Sequence, residues 1–148
     1  MEIRRATTVA ELLAAAHLYD APPREVGVPP DEVRGRAAAF LAAPGHVLLI
    51  AYTPDGVPAG FVSGIEMHHP DKGVELCLYE LSVDEAHRRH GIGRALTEAL
   101  AAEARVRGCY GMWVGVDMDN EPALRTYASA GAADEGVFTM RGWSFPRS

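Results

Sequence analysis

The stretch Leu81-Ser82-Val83-Asp84-Glu85-Ala86-His87-Arg88-Arg89-His90-Gly91-Ile92-Gly93-Arg94-Ala95-Leu96 constrains the fold more than any other part of this chain. An apolar strand ends near Val83, a short polar loop follows, and a helix begins around Gly91. Backbone N–H groups at a helix start have no partner within the helix, and the helix dipole is positive there, so such a junction attracts anions. Gly91 and Gly93 remove side chains and let a pyrophosphate approach those amides, while Arg88, Arg89 and Arg94 add charge. The turn is not a Walker A loop, which needs Gly-Lys-Ser/Thr, nor a dinucleotide fingerprint, which needs a third glycine. The plainer alternative is a loop whose arginines are only solvated. What favours the anion site is its place directly after Val74 to Val83, a run apolar on both faces, as in a central strand covered on each side.

A chain of 148 residues has room for one domain with one well-filled core. Ile3 to Ala6 reads as a short first strand. Thr8 to Asp20 reads as a helix, with Val9, Leu12, Leu13 and Ala16 on one face and Thr8 as its N-cap. From Ala21-Pro22-Pro23 to Pro29-Pro30 the four prolines exclude regular structure. Asp31 then caps a second helix with the stripe Val33, Ala37, Phe40 and Leu41, ended by Pro44-Gly45. His46 to Thr53 forms a strand, Pro54-Asp55-Gly56 a turn, and Ala59 to Met67 an alternating strand with Phe61, Ile65 and Met67 facing one way. His68 to Gly73 is a polar loop before the central strand. The helix after Gly91 runs to Arg107 and stops at Gly108. Tyr110 to Val116 is a further strand, Asn120 to Ala130 a short helix closed by Gly131, and Val137 to Met140 a last strand. The expected class is α/β, a mixed sheet with helices on both faces.

Composition narrows the function. A formal net charge of −6, with Lys72 the only lysine, argues against a protein that neutralises nucleic-acid phosphates and favours a cationic co-substrate. No apolar run approaches the roughly 18 to 20 residues of a membrane span, and Met1-Glu2-Ile3-Arg4-Arg5 does not open a signal peptide, so the expected location is cytoplasmic. Cys77 and Cys109 have no CxxC spacing, and Cys77 reads as a small buried hydrophobe. His87 with His90, and His68 with His69, lack a third ligand at a sensible spacing, so no metal is expected.

With Arg88, Gly91 and Gly93 in the pattern Gln/Arg-x-x-Gly-x-Gly/Ala, the chain resembles the GNAT superfamily of acetyl-CoA-dependent N-acetyltransferases. A second shared feature is the late helix Asn120-Glu121-Pro122-Ala123-Leu124-Arg125-Thr126-Tyr127, followed by Gly131. The resemblance covers essentially the whole chain. It implies a mostly antiparallel central sheet and a V-shaped cofactor cleft between the strand ending at Val83 and the strand starting at Tyr110. Pantetheine would pair with backbone groups of Leu81, Ser82 and Val83. The pyrophosphate would sit on amides from Arg88, Arg89, His90, Gly91, Ile92, Gly93 and Arg94. Asn120 and Tyr127 would lie beside acetyl-CoA, and transfer would be direct, in a ternary complex. Dimers are common among such enzymes, although no apolar stripe here requires one.

Acetyl transfer needs a base for the amine and an acid for the departing thiolate. Glu80 is the candidate base: it shares a strand face with Val74, Leu76 and Leu78, where burial should raise its pKa. The alternative is a structural Glu paired with an arginine or water. Tyr127 is the candidate acid, on the resemblance, and otherwise a core aromatic. Asp117, Asp119 and Glu121 can bind a polycationic amine, with Asp117 a second candidate base, or form a solvated acidic loop. Glu103 falls on the inward stripe of Ile92, Leu96 and Ala99 with no evident partner.

Within the superfamily the chain is most similar to the GNAT-type aminoglycoside 3-N-acetyltransferases. The shared run is Tyr79 beside an acid, Arg88-Arg89, Gly91-Ile92, Ala95-Leu96, Tyr110, Val114, Asp117, Pro122-Ala123, Tyr127 and Gly131. Asp117 matches the acid that group uses near the antibiotic's amine, and Glu80 stands where it carries Asp. Pro22 to Gly45 match less clearly. The resemblance thus implies an aminoglycoside acceptor, with another small amine, a protein N-terminus, or a non-catalytic acyl-CoA-binding module as alternatives.

Overall fold

Five strands pair in chain order: β1 (Glu2–Arg5), β2 (His46–Tyr52), β3 (Pro58–His69), β4 (Gly73–Val83) and β5 (Met112–Trp113). The first four run antiparallel, and β5 joins β4 in parallel. The helices are α1 (Val9–Ala14), α2 (Pro30–Ala42), α3 (Ile92–Val106) and α4 (Glu121–Ser129). The computed structural model describes residues 1–20 and 27–147, so the Ala21 to Val26 part of the expected proline loop lies outside the described residues.

The apolar run of β2 serves two cores at once, because successive side chains of a strand point to opposite faces. Val47 and Leu49 face the layer of α3, where Ile92, Leu96, Leu100 and Ala104 are buried with Val62, Leu76 and Leu78. Leu48, Ile50 and Tyr52 face the layer of α1 and α2, with Leu12, Ala15, Leu18 and Phe61. The expected helices on both faces are therefore present. On β3, a Cβ at Gly60 would lie 3.2 Å from Leu96 and 2.9 Å from the carbonyl of Ser82, so glycine there lets α3 sit close.

Local signals held at several ends. Thr8 Oγ accepts from the Glu11 amide at 3.2 Å while the Glu11 carboxylate accepts from the Thr8 amide at 3.2 Å, a reciprocal capping box. The helix it starts is shorter than Thr8 to Asp20: after Ala14 the chain tightens into a 3-10 turn, Ala16–Leu18. Asp31 is not the cap of α2. Pro29 takes that place, Pro30 is the first helical residue, and Asp31 pairs with Arg34 in the first turn. Proline suits that first position because its missing N–H would have had no helical partner.

The largest departure is in β4. Ser63 of β3 faces Glu80, but the next residue, Gly64, faces Leu78, so Tyr79 is an extra residue, a β-bulge. Alternation shifts by one at that point. Leu76 and Leu78 point into the α3 core before it, and Leu81 and Val83 pack against the same core after it. Glu80 thereby moves to the face of Ser63 and Phe61, opposite to Leu76 and Leu78, which corrects the face expected for it.

The expected strand Tyr110 to Val116 pairs only at Leu76↔Met112 and Cys77↔Trp113. Beyond Cys77, where the V was expected, the two strands have no further ladder pairs among the described residues. Val114 and Val116 remain packed against the core without strand pairing. The expected last strand, Val137 to Met140, does not form. Phe138 and Met140 are 87% and 98% exposed, and an extended segment has no ladder without a neighbour to bond.

Glu103 does have a partner. Its carboxylate accepts from Arg107 Nε at 2.9 Å, and the same guanidinium lies 3.5 Å from Glu66 of β3. The inward acid is thus one end of a half-buried Glu–Arg–Glu bridge tying α3 to the sheet.

Candidate active site

The bulge sets Tyr79 and Glu80 against the same space. A cleft of about 490 Å³ is lined by Leu18, Asp20, Phe61, Tyr79, Glu80, Leu81, Ser82 and Tyr127. Its apolar side comes from Leu18 and Phe61 of the α1 layer, and its polar side from the bulged end of β4. Glu80 is exposed to the cleft, yet the surrounding protein still removes enough water to raise its carboxyl above the usual range, with the negative charge of Asp20 adding to the effect. A carboxyl so raised holds an abstracted proton more readily than an ordinary one.

Tyr127, from α4, is buried in the α3 core and also lines the cleft. Burial pushes its phenol above the ordinary value, so it is protonated near neutrality, as a proton donor must be. Behind the cleft, Tyr19 donates from its hydroxyl to the Leu12 carbonyl at 2.6 Å. Burial, then Glu80 and Tyr52, push that phenol up to about 12, which keeps it neutral.

The arginine-glycine turn joins the end of β4 to α3. No group among the described residues accepts from the backbone amides of Arg89 to Arg94, and α3 has no side-chain cap. Arg89 has φ 67° and Gly91 φ 76°. Such excursions into the left-handed region gather successive amides into an anion-binding concavity. The two glycines differ in use. A Cβ on Gly91 would meet nothing within 4 Å, so its requirement is conformational. A Cβ on Gly93 would lie 3.3 Å from Thr126 Cγ2, so this glycine lets α3 and α4 meet rather than only baring an amide. Arg88 is partly committed, since its Nε donates to the Val83 carbonyl at 3.2 Å. His90 Nδ1 donates to the His87 carbonyl at 3.1 Å, which bends the turn back on itself.

Among the other expected residues, Leu81 and Ser82 line the cleft, while Val83 packs against the core. Asn120 is engaged as the cap of α4, its Oδ1 accepting from the Ala123 amide at 3.2 Å. Asp117, Asp119 and Glu121 are exposed and stand outside the cleft lining, and Glu121 pairs with Arg125 at 3.7 Å. Among the described residues, no three His, Cys, Asp or Glu side chains gather as a metal-binding group. Sequence reasoning missed Asp20, Leu18 and Phe61 as cleft residues. A carboxylate after a helix reads as a solvated end, and only the fold places Asp20 beside Glu80.

The model of the Acetyltransferase (GNAT) family matches residues 8–132. Over 90 residues the chain is 40% identical to mycothiol acetyltransferase of Clavibacter sepedonicus, a stretch covering 61% of this chain and 26% of that protein. Over 57 residues it is 39% identical to the ribosomal protein bS18-alanine N-acetyltransferase of Escherichia coli (strain K12), 38% of each. The chain thus spans only 26% and 38% of the length of these curated relatives. Among solved structures it is similar to an aminoglycoside acetyltransferase, meta-AAC0020, from an uncultured soil metagenomic sample, in complex with sisomicin. There the TM-score is 0.84 at 16% identity, covering 98% of this chain and 96% of the other. It is also similar to AAC(6')-Iy in complex with a bisubstrate analog, CoA-S-monomethyl-acetylneamine, with a TM-score of 0.76 at 22% identity, covering 97% and 98%. At such identities the likeness establishes the fold.

Proposed function

Because the chain belongs to the acetyltransferase (GNAT) family, we propose that it transfers an acetyl group from acetyl-CoA to a primary amine of a small cationic acceptor, an aminoglycoside. The observation that carries this reading is the bulge at Tyr79, which turns Glu80 into the cleft that Tyr127 also lines, one strand-end away from the unpaired amides of Arg89 to Arg94.

The residues fit the co-substrate. The bare amides and the arginines of the turn suit a pyrophosphate, and the open edge of β4 beyond Cys77 suits an extended pantetheine. Acetyl-CoA supplies an activated thioester carbonyl. Glu80, directly or through water, takes the proton from the attacking amine as the C–N bond forms. Tyr127 gives its proton to the sulfur as the C–S bond breaks. Asp117, with Asp119 and Glu121 near it, serves as an outer electrostatic guide for the amine rather than as the base, since all three stand outside the cleft lining.

Regiochemistry follows the sequence likeness to 3-N enzymes, against which the 6'-type structural neighbour weighs. A second reading, acetylation of another small amine or a protein N-terminus, is favoured by the relatives named for mycothiol and for the alanine of bS18. CoA-thiol release with gentamicin, kanamycin, a short alanine-led peptide and a plain diamine, each offered separately, decides between them. Release with the antibiotics alone, with the product mapped by NMR, supports the aminoglycoside reading and assigns the nitrogen. Turnover of the peptide or diamine alone removes it.

A further inference from the structure

Resting on the reading of this cleft as the acceptor pocket, we infer that Asp20 is a specificity-determining residue that, together with Glu80, selects acceptors carrying a second protonated nitrogen. Asp20 follows the 3-10 turn Ala16–Leu18 and Glu80 sits on the bulged end of β4, so one cleft receives carboxylates from two separate elements. Two like charges confined to one space repel, and a ligand with one ammonium can neutralise only one of them. Burial raises the Glu80 carboxyl first, and the negative charge of Asp20 adds to that rise, as such repulsion requires.

A third group points the same way. Ser63 is 3% exposed, and its Oγ has no hydrogen-bond partner among the described residues. It faces Glu80 across the ladder and lies two residues from Phe61, so its hydroxyl is aimed at the side of the sheet that Phe61 and Glu80 present to the cleft. A hydroxyl there accepts an N–H, and an ammonium brings three. Two carboxylates over an apolar floor of Leu18 and Phe61, with the spare Ser63 hydroxyl buried on the same face of the sheet, match amines spaced along a carbon frame.

Calorimetric titration of the full chain with hexamethylenediamine and with hexylamine isolates the second charge. The wild-type chain should bind the diamine more tightly. Asp20→Asn should erase about threefold to fivefold of that preference, the range expected for one partly exposed ion pair. Asp20→Glu should restore it. An unchanged ratio of affinities in Asp20→Asn, or no preference in the wild type, overturns the inference. Because binding is read without acetyl transfer, a chain that acetylates no amine contradicts the proposed reaction and still leaves the titration to decide the selectivity.

Discussion

At the scale of single residues, Glu80 carries the heaviest demand. As a base it must be ionised, and burial with Asp20 makes ionisation harder. The acid limb of the kcat/KM profile should therefore lie above the ordinary carboxylate range. Asp20→Asn should move it down, because removing a nearby negative charge eases ionisation of Glu80. Glu80→Gln should lower turnover about a hundredfold or more, the usual contribution of general base catalysis. The effect on stability has the opposite sign. A carboxyl raised in the folded state binds its proton more tightly there than in the unfolded chain. Folding is thus penalised as pH rises through the gap between the two values, and the penalty is fully present above the raised one. The melting temperature of Glu80→Gln at neutral pH should equal or exceed that of the parent. A matched loss of activity and stability would mean that Glu80 is a structural residue.

At the scale of elements, the turn into α3 and the helix itself divide their labour. Gly91 holds φ 76° in open space, so Gly91→Val adds backbone strain of roughly 1–2 kcal/mol and a branched side chain over the bare amides. It should weaken acetyl-CoA binding, followed by competition with CoA, far more than it lowers the melting temperature. Comparable acetyl-CoA affinity in the variant would remove the turn from the phosphate site. This element was legible in the sequence because all its signals are local: a strand, two glycines, three arginines, a helix start. The β4 bulge was not. Leu78-Tyr79-Glu80-Leu81 contains no glycine or proline to mark an extra residue, and the register shift appears only against the partner strand. The length of β5 was hidden for the same reason, since its apolar run continues after its hydrogen bonds end. Val137 to Met140 has the composition of a strand and lacks a neighbour. Asp20 shows the limit from the other side, an ordinary surface acid until long-range packing sets it beside Glu80.

For the molecule as a whole, charge is sorted by place. The formal net charge is −6, the cleft holds Asp20 and Glu80, and arginines cluster at the turn. On the proposed reading, a doubly charged amine would be drawn by both the general field and the cleft. Raising ionic strength from about 0.01 M to 1 M shortens the screening length from about 30 Å to 3 Å. The KM for such an amine should rise across that series while kcat holds, and a constant KM would mean that charge does not guide the acceptor. The same molecule also carries a rule about which changes of length it can absorb. Tyr79 acts on β4 as an inserted letter acts on a reading frame: upstream, even-numbered residues are written into the core, and downstream, odd-numbered ones are. Gaining one residue between Leu78 and Leu81, with the bulge unchanged, would exchange the two texts, sending the carboxylate beneath α3 and Leu81 into the cleft. Length changes in the turn between His69 and Gly73 leave both messages intact, so this fold can lengthen at its hairpin but not at its hinge of meaning, a single tyrosine.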